Sequence, residues 1–106
     1  MGKLLMVAGR QVRGADGQER IGAYVVLSAG RMSRVFSVRG TTAASTVTEL
    51  PAATTIDMGR FEAELEKDLR AEAGVTGPQP ATRPAEAVVC GAVRAHLKRA
   101  ENLEVD

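Results

Sequence analysis

Two β-strands joined by a tight turn are encoded in RIGAYVVLSAGRMSRVFSVR, residues 20–39. From Ile21 to Leu27 every second side chain is aliphatic, which is the alternation expected of a strand that buries one face. The Ser-Ala-Gly-Arg sequence that follows favours a turn. The stretch therefore predicts an antiparallel hairpin with strands over 20–28 and 33–39.

A further strand precedes this hairpin, and another is expected to follow it. Residues 3–12 are mostly apolar, and the Asp16-Gly17 pair is a strong signal for a turn into the hairpin. Residues 46–50 fit either a short strand at the sheet edge or a crossing loop. Because long structureless loops are uncommon in compact domains, the strand is favoured. We therefore expect a three- or four-stranded antiparallel meander.

The second half of the chain predicts two helices. Apolar residues recur at helical spacing over 58–73 and again over 84–101. Glycine and proline are concentrated between them, so residues 74–83 are predicted to form a linker. Residues 102–106 are expected to fray beyond the second helix.

These elements predict a single α+β domain over 1–106, with both amphipathic helices packed on one face of the meander. The other face, which carries Tyr24, Val26 and Val35, is too apolar to lie entirely in water. We expect a partner or an extra layer to cover it.

Composition excludes several classes of protein. The longest apolar run, Leu4 to Ala8, has five residues, whereas a membrane-spanning helix needs about 20. A single cysteine and a single histidine exclude an internal disulfide and a metal centre built from several histidines. We expect no metal, no cofactor and no membrane partner. The missing secretory signal and the free cysteine predict a cytoplasmic protein, or part of a particle assembled in the cytoplasm.

The charges are unevenly distributed. Residues 1–40 contain seven basic and two acidic groups, and residues 41–106 contain seven basic and eleven acidic groups. This asymmetry predicts that the basic half meets either a polyanion or an acidic surface, including that of another copy of the chain. A solvated arginine-rich rim is the alternative. The candidate interaction surface comprises Arg10, Arg13, Arg20, Arg31, Arg34, Arg39, Tyr24, Val26, Glu62, Glu64, Glu66 and Asp68.

Catalysis has little support in the sequence. Cys90 and His96 are the obvious nucleophile and base, but six helical residues separate them by about 9 Å along the axis and about 120° around it. We expect Cys90 to be a core residue and His96 to be a packed residue. The phosphate-binding loop and dinucleotide-binding patterns are absent. No catalytic residue is therefore assigned.

The sequence favours a non-catalytic structural or adaptor protein. Such a protein would associate with copies of itself or with other subunits, within a larger particle of phage type or a multi-subunit complex. A nucleic-acid-binding protein that uses an arginine-rich sheet is the first alternative. A small inhibitor or immunity protein that acts through its acidic helix is the second.

Overall fold

The computed structural model describes residues 2–51, 58–75 and 81–106. Its sheet has four antiparallel strands in the order β1-β2-β3-β4, and two helices follow them. The α+β class and the meander are therefore confirmed, with 46–50 contributing to the edge strand. The elements are β1 (Lys3–Arg13), β2 (Glu19–Ala29), β3 (Met32–Thr41), β4 (Ser45–Glu49), α1 (Met58–Ala73) and α2 (Glu86–Glu101).

The hairpin turns form where the sequence signals them. Gly17 has φ of 82° and Gly30 has φ of 63°, a region that residues with a side chain rarely adopt. In the β1–β2 turn, the Asp16 side chain accepts a hydrogen bond from the backbone N–H of Gln18 at 3.0 Å. This side-chain bond is typical of aspartate in tight turns. The turns set the strand register that brings the remaining side chains together.

α2 covers one face of the sheet, which we call the α2 face. Val25 of β2 and Phe36 of β3 lie side by side on it and are fully buried. Val93 and Leu97 of α2 belong to the same buried cluster. The alternation seen from Ile21 onward therefore marks the face that packs against the second helix.

α1 covers part of the opposite face, which we call the α1 face. A side-chain carbon on Gly22 would lie 2.9 Å from Leu65 Cδ2, so α1 approaches β2 closely there. The ring of Tyr24 packs on that of Phe61, with 4.8 Å between the ring centres. Val12 is buried against α1 residues further along the helix. The two helices thus occupy opposite faces, unlike the expected arrangement with both on one face.

The apolar character of both faces explains this distribution. Val25 points to one face and Tyr24 and Val26 point to the other, so each face requires cover. α1 supplies the expected extra layer over Tyr24. The predicted linker 74–83 connects the helices, and its residues 76–80 lie outside the described residues.

Residues 102–106 are held against the domain, so the expectation that they fray is wrong. Asn102 adopts a left-handed conformation and ends α2. Val105 is only 8% exposed and joins the core beneath α2. Asp106 then exchanges backbone hydrogen bonds with Gly2 and Leu4 at 3.0 and 3.2 Å. Burial of an apolar side chain and pairing of the backbone together order this segment.

Candidate interaction surface

Arginines on the α1 face pair with acidic residues of α1. Arg10 Nη2 lies 2.8 Å from Glu62 Oε2, and Arg10 Nε lies 4.0 Å from Glu66. Arg39 lies 3.4 Å from Asp68, with a second carboxylate on the same helix 4.0 Å away. The basic sheet and the acidic helix therefore neutralise each other within one chain.

Glu64, the remaining acidic candidate on α1, pairs along the helix. Its carboxylate lies 3.1 Å from Arg60, one helical turn earlier. Glu66 similarly approaches Arg70 at 4.0 Å. Pairs at this spacing stabilise a helix by about 0.3–0.5 kcal/mol each. They leave little uncompensated negative charge on the helix.

Arg34 lies on the α2 face and joins three elements. It binds Glu49 of β4 at 2.8 Å and Glu101 of α2 at 2.6 Å. Its guanidinium also lies 5.3 Å from the ring centre of Phe36, within the range of a cation–π interaction. His96 packs edge-on to the same ring, 6.4 Å between centres.

The electrostatics of this cluster follow from its hydrogen bonds. Those donated by Arg34 lower the pKa of Glu49 and of Glu101. Its bonds to the two carboxylates, Glu49 first, raise the pKa of Arg34. All three groups are therefore charged at neutral pH, and the cluster fastens the C-terminal end of α2 to the sheet edge.

Two further arginines act within the β1–β2 hairpin. Arg13 lies 3.0 Å from Glu19, and Arg20 lies 3.6 Å from Asp16. Hydrogen bonds from Gln11, then Arg13, lower the pKa of Glu19. These contacts are local to the hairpin, so they stabilise its register.

Arg31 differs from the other five candidate arginines. It is exposed in the β2–β3 turn, and no acidic partner lies beside it within residues 2–51, 58–75 and 81–106. One unpaired arginine among the six candidates is a small binding surface for a polyanion, because a protein binds a polyanion by neutralising several phosphates at once. The internal pairing therefore reduces the support for a nucleic-acid interface, and equally for an acidic helix that mimics nucleic acid.

An apolar row remains on the α1 face beyond the reach of α1. Leu5 is opposite Val26, which is opposite Val35, and the Leu50 amide hydrogen-bonds to the Val35 carbonyl at 2.8 Å. The four side chains therefore cross all strands of the sheet on one face. Leu5 is 58% exposed, and the others are partly buried. We call Leu5, Val26, Val35 and Leu50 the apolar row.

The sequence pattern indicated Val26 and Val35 but not Leu5 or Leu50. A register shift between Met6 and Ala8 in β1 places Leu5 on the same face as Arg10, although five residues separate them. Simple alternation puts residues five apart on opposite faces. A bulge of this kind has no reliable signal in one sequence, so only the register reveals the row.

Cys90 and His96 do not form a reactive pair. Cys90 is 8% exposed in the core, and burial, followed by the negative charge of Glu86, raises its pKa. A buried thiol of this kind is a poor nucleophile. His96 instead contacts Phe36. The described residues also contain no group of three acidic, histidine or cysteine side chains placed to bind a metal.

An open cavity of about 330 Å³ lies between α2 and the chain that follows it. Both of its cations are already engaged. Arg94 Nε donates to the Val105 carbonyl at 3.1 Å, and Lys98 binds Glu104 at 2.9 Å. This arrangement holds the final residues against α2.

Neither described helix is long and apolar enough to span a membrane. Within the described ranges, the main features of the surface are internally paired charges and the apolar row, which α1 does not reach. No family model, no curated protein and no solved structure matches this chain.

Proposed function

We propose that this chain is a non-catalytic structural or adaptor subunit that associates with copies of itself or with other subunits of a larger particle. The apolar row carries the proposal. Single exposed hydrophobic residues are ordinary on protein surfaces, whereas contiguous apolar patches mark interaction sites. A protein surface is the partner whose chemistry fits aliphatic side chains.

The row has the dimensions of the centre of an interface. Neighbouring strands lie about 4.8 Å apart, so four side chains abreast extend about 14 Å. Leu5 forms its exposed end, and Tyr24 and Phe61 lie next to it where α1 begins. Aliphatic and aromatic groups surrounded by polar residues are the usual composition of an interface core.

Internal charge pairing supports a protein partner over nucleic acid. Arg10 and Arg39 already neutralise acids of α1, and Arg34 already binds two carboxylates. Binding to phosphate would require these pairs to be broken. Contact through aliphatic side chains requires no such exchange.

The test is absolute mass by light scattering on a sizing column, at low and high salt, with absorbance recorded at 260 and 280 nm. We expect an oligomer free of nucleic acid whose mass is unchanged by salt. The chain has one tyrosine and no tryptophan, so any bound nucleic acid would dominate the absorbance.

Leu5→Ser probes the row directly. Leu5 is largely exposed, so the substitution should leave the fold intact while it weakens association. Met32→Ser is the matched control, since Met32 is 69% exposed but lies outside the row. A monomer across micromolar concentrations would contradict self-association. A monomer whose bound nucleic acid is removed by salt would instead favour the arginine-rich sheet.

A further inference from the structure

The two edges of the sheet differ in how they are covered. Asp106 forms backbone hydrogen bonds with the first residues of β1. Near the other end of β1, Thr82 and Gln11 exchange backbone hydrogen bonds of 2.7 and 3.0 Å. Between them, Arg83 Nη2 donates to the Met6 carbonyl at 3.2 Å. Own-chain segments therefore cover β1 over most of its length, as natural proteins do to prevent strands from pairing between molecules.

The β4 edge has no such cover in the described part of the chain. Leu50 donates its backbone N–H to the Val35 carbonyl. In the register of β3 and β4, the backbone N–H and C=O groups of Thr48 and Thr46 therefore also point toward β3. Those of Ser45, Val47 and Glu49 face outward. None of the backbone hydrogen bonds formed by the described residues satisfies them.

β4 has few of the usual devices that protect an edge strand: it is short, at five residues, and its one charged residue, Glu49, is paired with Arg34. Its sequence, Ser-Thr-Val-Thr-Glu, contains no lysine, no proline and no glycine. Its pairing with β3 runs without a register shift. Three of its five residues are β-branched, which favours the extended conformation. The strand is therefore ready to accept another strand.

We propose that β4 pairs antiparallel with β4 of a second copy, centred on Val47. This inference rests on the proposed self-association and adds a second contact surface to the apolar row, at the β4 edge of the sheet. In this register Val47 is opposite its own counterpart, Thr46 is opposite Thr48, and Ser45 is opposite Glu49. Threonine pairs and β-branched pairs are favourable cross-strand neighbours, and no like charges meet. A contact of this kind closes with twofold symmetry.

Packing and charge also favour this register. Val47 is partly buried against the core on the α2 face, so a Val47–Val47 contact extends existing apolar packing. Glu49 forms an ion pair with Arg34, so its negative charge is already neutralised where it meets the second copy. Sliding the strands so that Glu49 opposes Glu49 would bring two carboxylates together and leave most of β4 unpaired.

A pair of substitutions at one position tests the register. Ser45→Glu places a carboxylate opposite Glu49 twice in each dimer, whereas Ser45→Lys places an ammonium there. We expect the dimer dissociation constant to rise about 2- to 30-fold for Ser45→Glu, since cross-strand pairs contribute about 0.2–1 kcal/mol each. Ser45→Lys should leave it unchanged or lower it. Ala43→Glu, in the β3–β4 turn, controls for added charge outside the paired segment.

A backbone substitution tests the edge itself. Val47→Pro removes an outward N–H that β3 does not use, so the monomer should fold while the dimer is lost. Circular dichroism verifies the fold, and sedimentation equilibrium gives the dissociation constants. If Leu5→Ser weakens the oligomer and the Ser45 and Val47 variants do not, the β4 pairing is overturned and self-association stands. If the unmodified chain is monomeric throughout, self-association fails and the β4 pairing fails with it.

Discussion

Replacing Leu65 by alanine should destabilise the fold by about 3 kcal/mol, and adding a methyl group at Gly22 should then recover part of that loss. Leu65 is fully buried where α1 crosses the sheet. Truncating a buried leucine to alanine typically costs about 2–5 kcal/mol, from lost burial and the cavity left behind. A chain of this size has about 5–15 kcal/mol of stability, so the variant should remain folded.

The amount of stability that Gly22→Ala should restore to Leu65→Ala follows from one distance. A side-chain carbon at Gly22 would lie 2.9 Å from Leu65 Cδ2, closer than the 3.5–4.0 Å optimum for two carbon atoms. In the unmodified chain Gly22→Ala should therefore incur an overpacking cost of about 1–3 kcal/mol. In Leu65→Ala the clashing atom is gone and the methyl group fills the cavity. The two substitutions should thus be coupled by at least about 1 kcal/mol.

Urea unfolding, followed by circular dichroism, measures this coupling. The free energy of unfolding is compared for the unmodified chain, Leu65→Ala, Gly22→Ala and the double variant. Gly91→Ala is the matched control, because Gly91 lies on α2 and a side-chain carbon there would meet no atom within 4 Å. It should stabilise the chain by about 0.5–1 kcal/mol equally in both backgrounds. Additivity of Gly22→Ala and Leu65→Ala within about 0.5 kcal/mol would refute the packing of α1 over Gly22.

Two further predictions concern the acid response and the final residues. Arg34 holds the pKa of Glu49 and of Glu101 in the folded chain below the ordinary value of 4.5. The two carboxylates therefore stabilise the fold fully above pH 4.5, and this stabilisation is lost as the pH falls through their lowered pKa values. Urea unfolding from pH 7 to pH 3 should show a smaller acid loss in Arg34→Met than in the control Arg31→Met; equal losses would contradict this account. Val105→Ala should reduce stability by about 1.5 kcal/mol and speed hydrogen exchange of the β1 amide that bonds to the last residue. Unchanged exchange there would mean that Val105 does not hold the cover over β1.

Much of the fold could be read from local pattern. The alternation from Ile21 to Leu27 marks β2 and its buried face, because successive side chains of a strand point to opposite sides. The Asp16-Gly17 pair marks the first turn, where a positive φ is needed. Apolar residues such as Leu65 and Leu69, one helical turn apart, mark the packed side of α1. These are short-range properties of the chain, so neighbouring residues suffice to predict them.

The site depends on contacts that local pattern does not encode. The sequence showed a basic half and an acidic half, but not that Arg10 reaches Glu62, 52 residues away. It therefore left open whether the charges meet within one chain or between copies. The apolar row was similarly incomplete, because Leu5 joins Val26 only through the bulge in β1.

The sequence by itself determined the first three strands, their turns, the two helices and the apolar sides of these elements, because each depends on residues within a few positions of one another. Only the tertiary structure decided that α1 and α2 take opposite faces, since Tyr24 and Val25 make both faces of β2 apolar and either could have received both helices. Only the tertiary structure likewise showed that β1 is covered while the outward peptide groups of β4 have no partner among the described residues. The physical reason is that strand order, register and helix placement bring together groups far apart in the chain, and their pairing determines which surface is left to bind a partner.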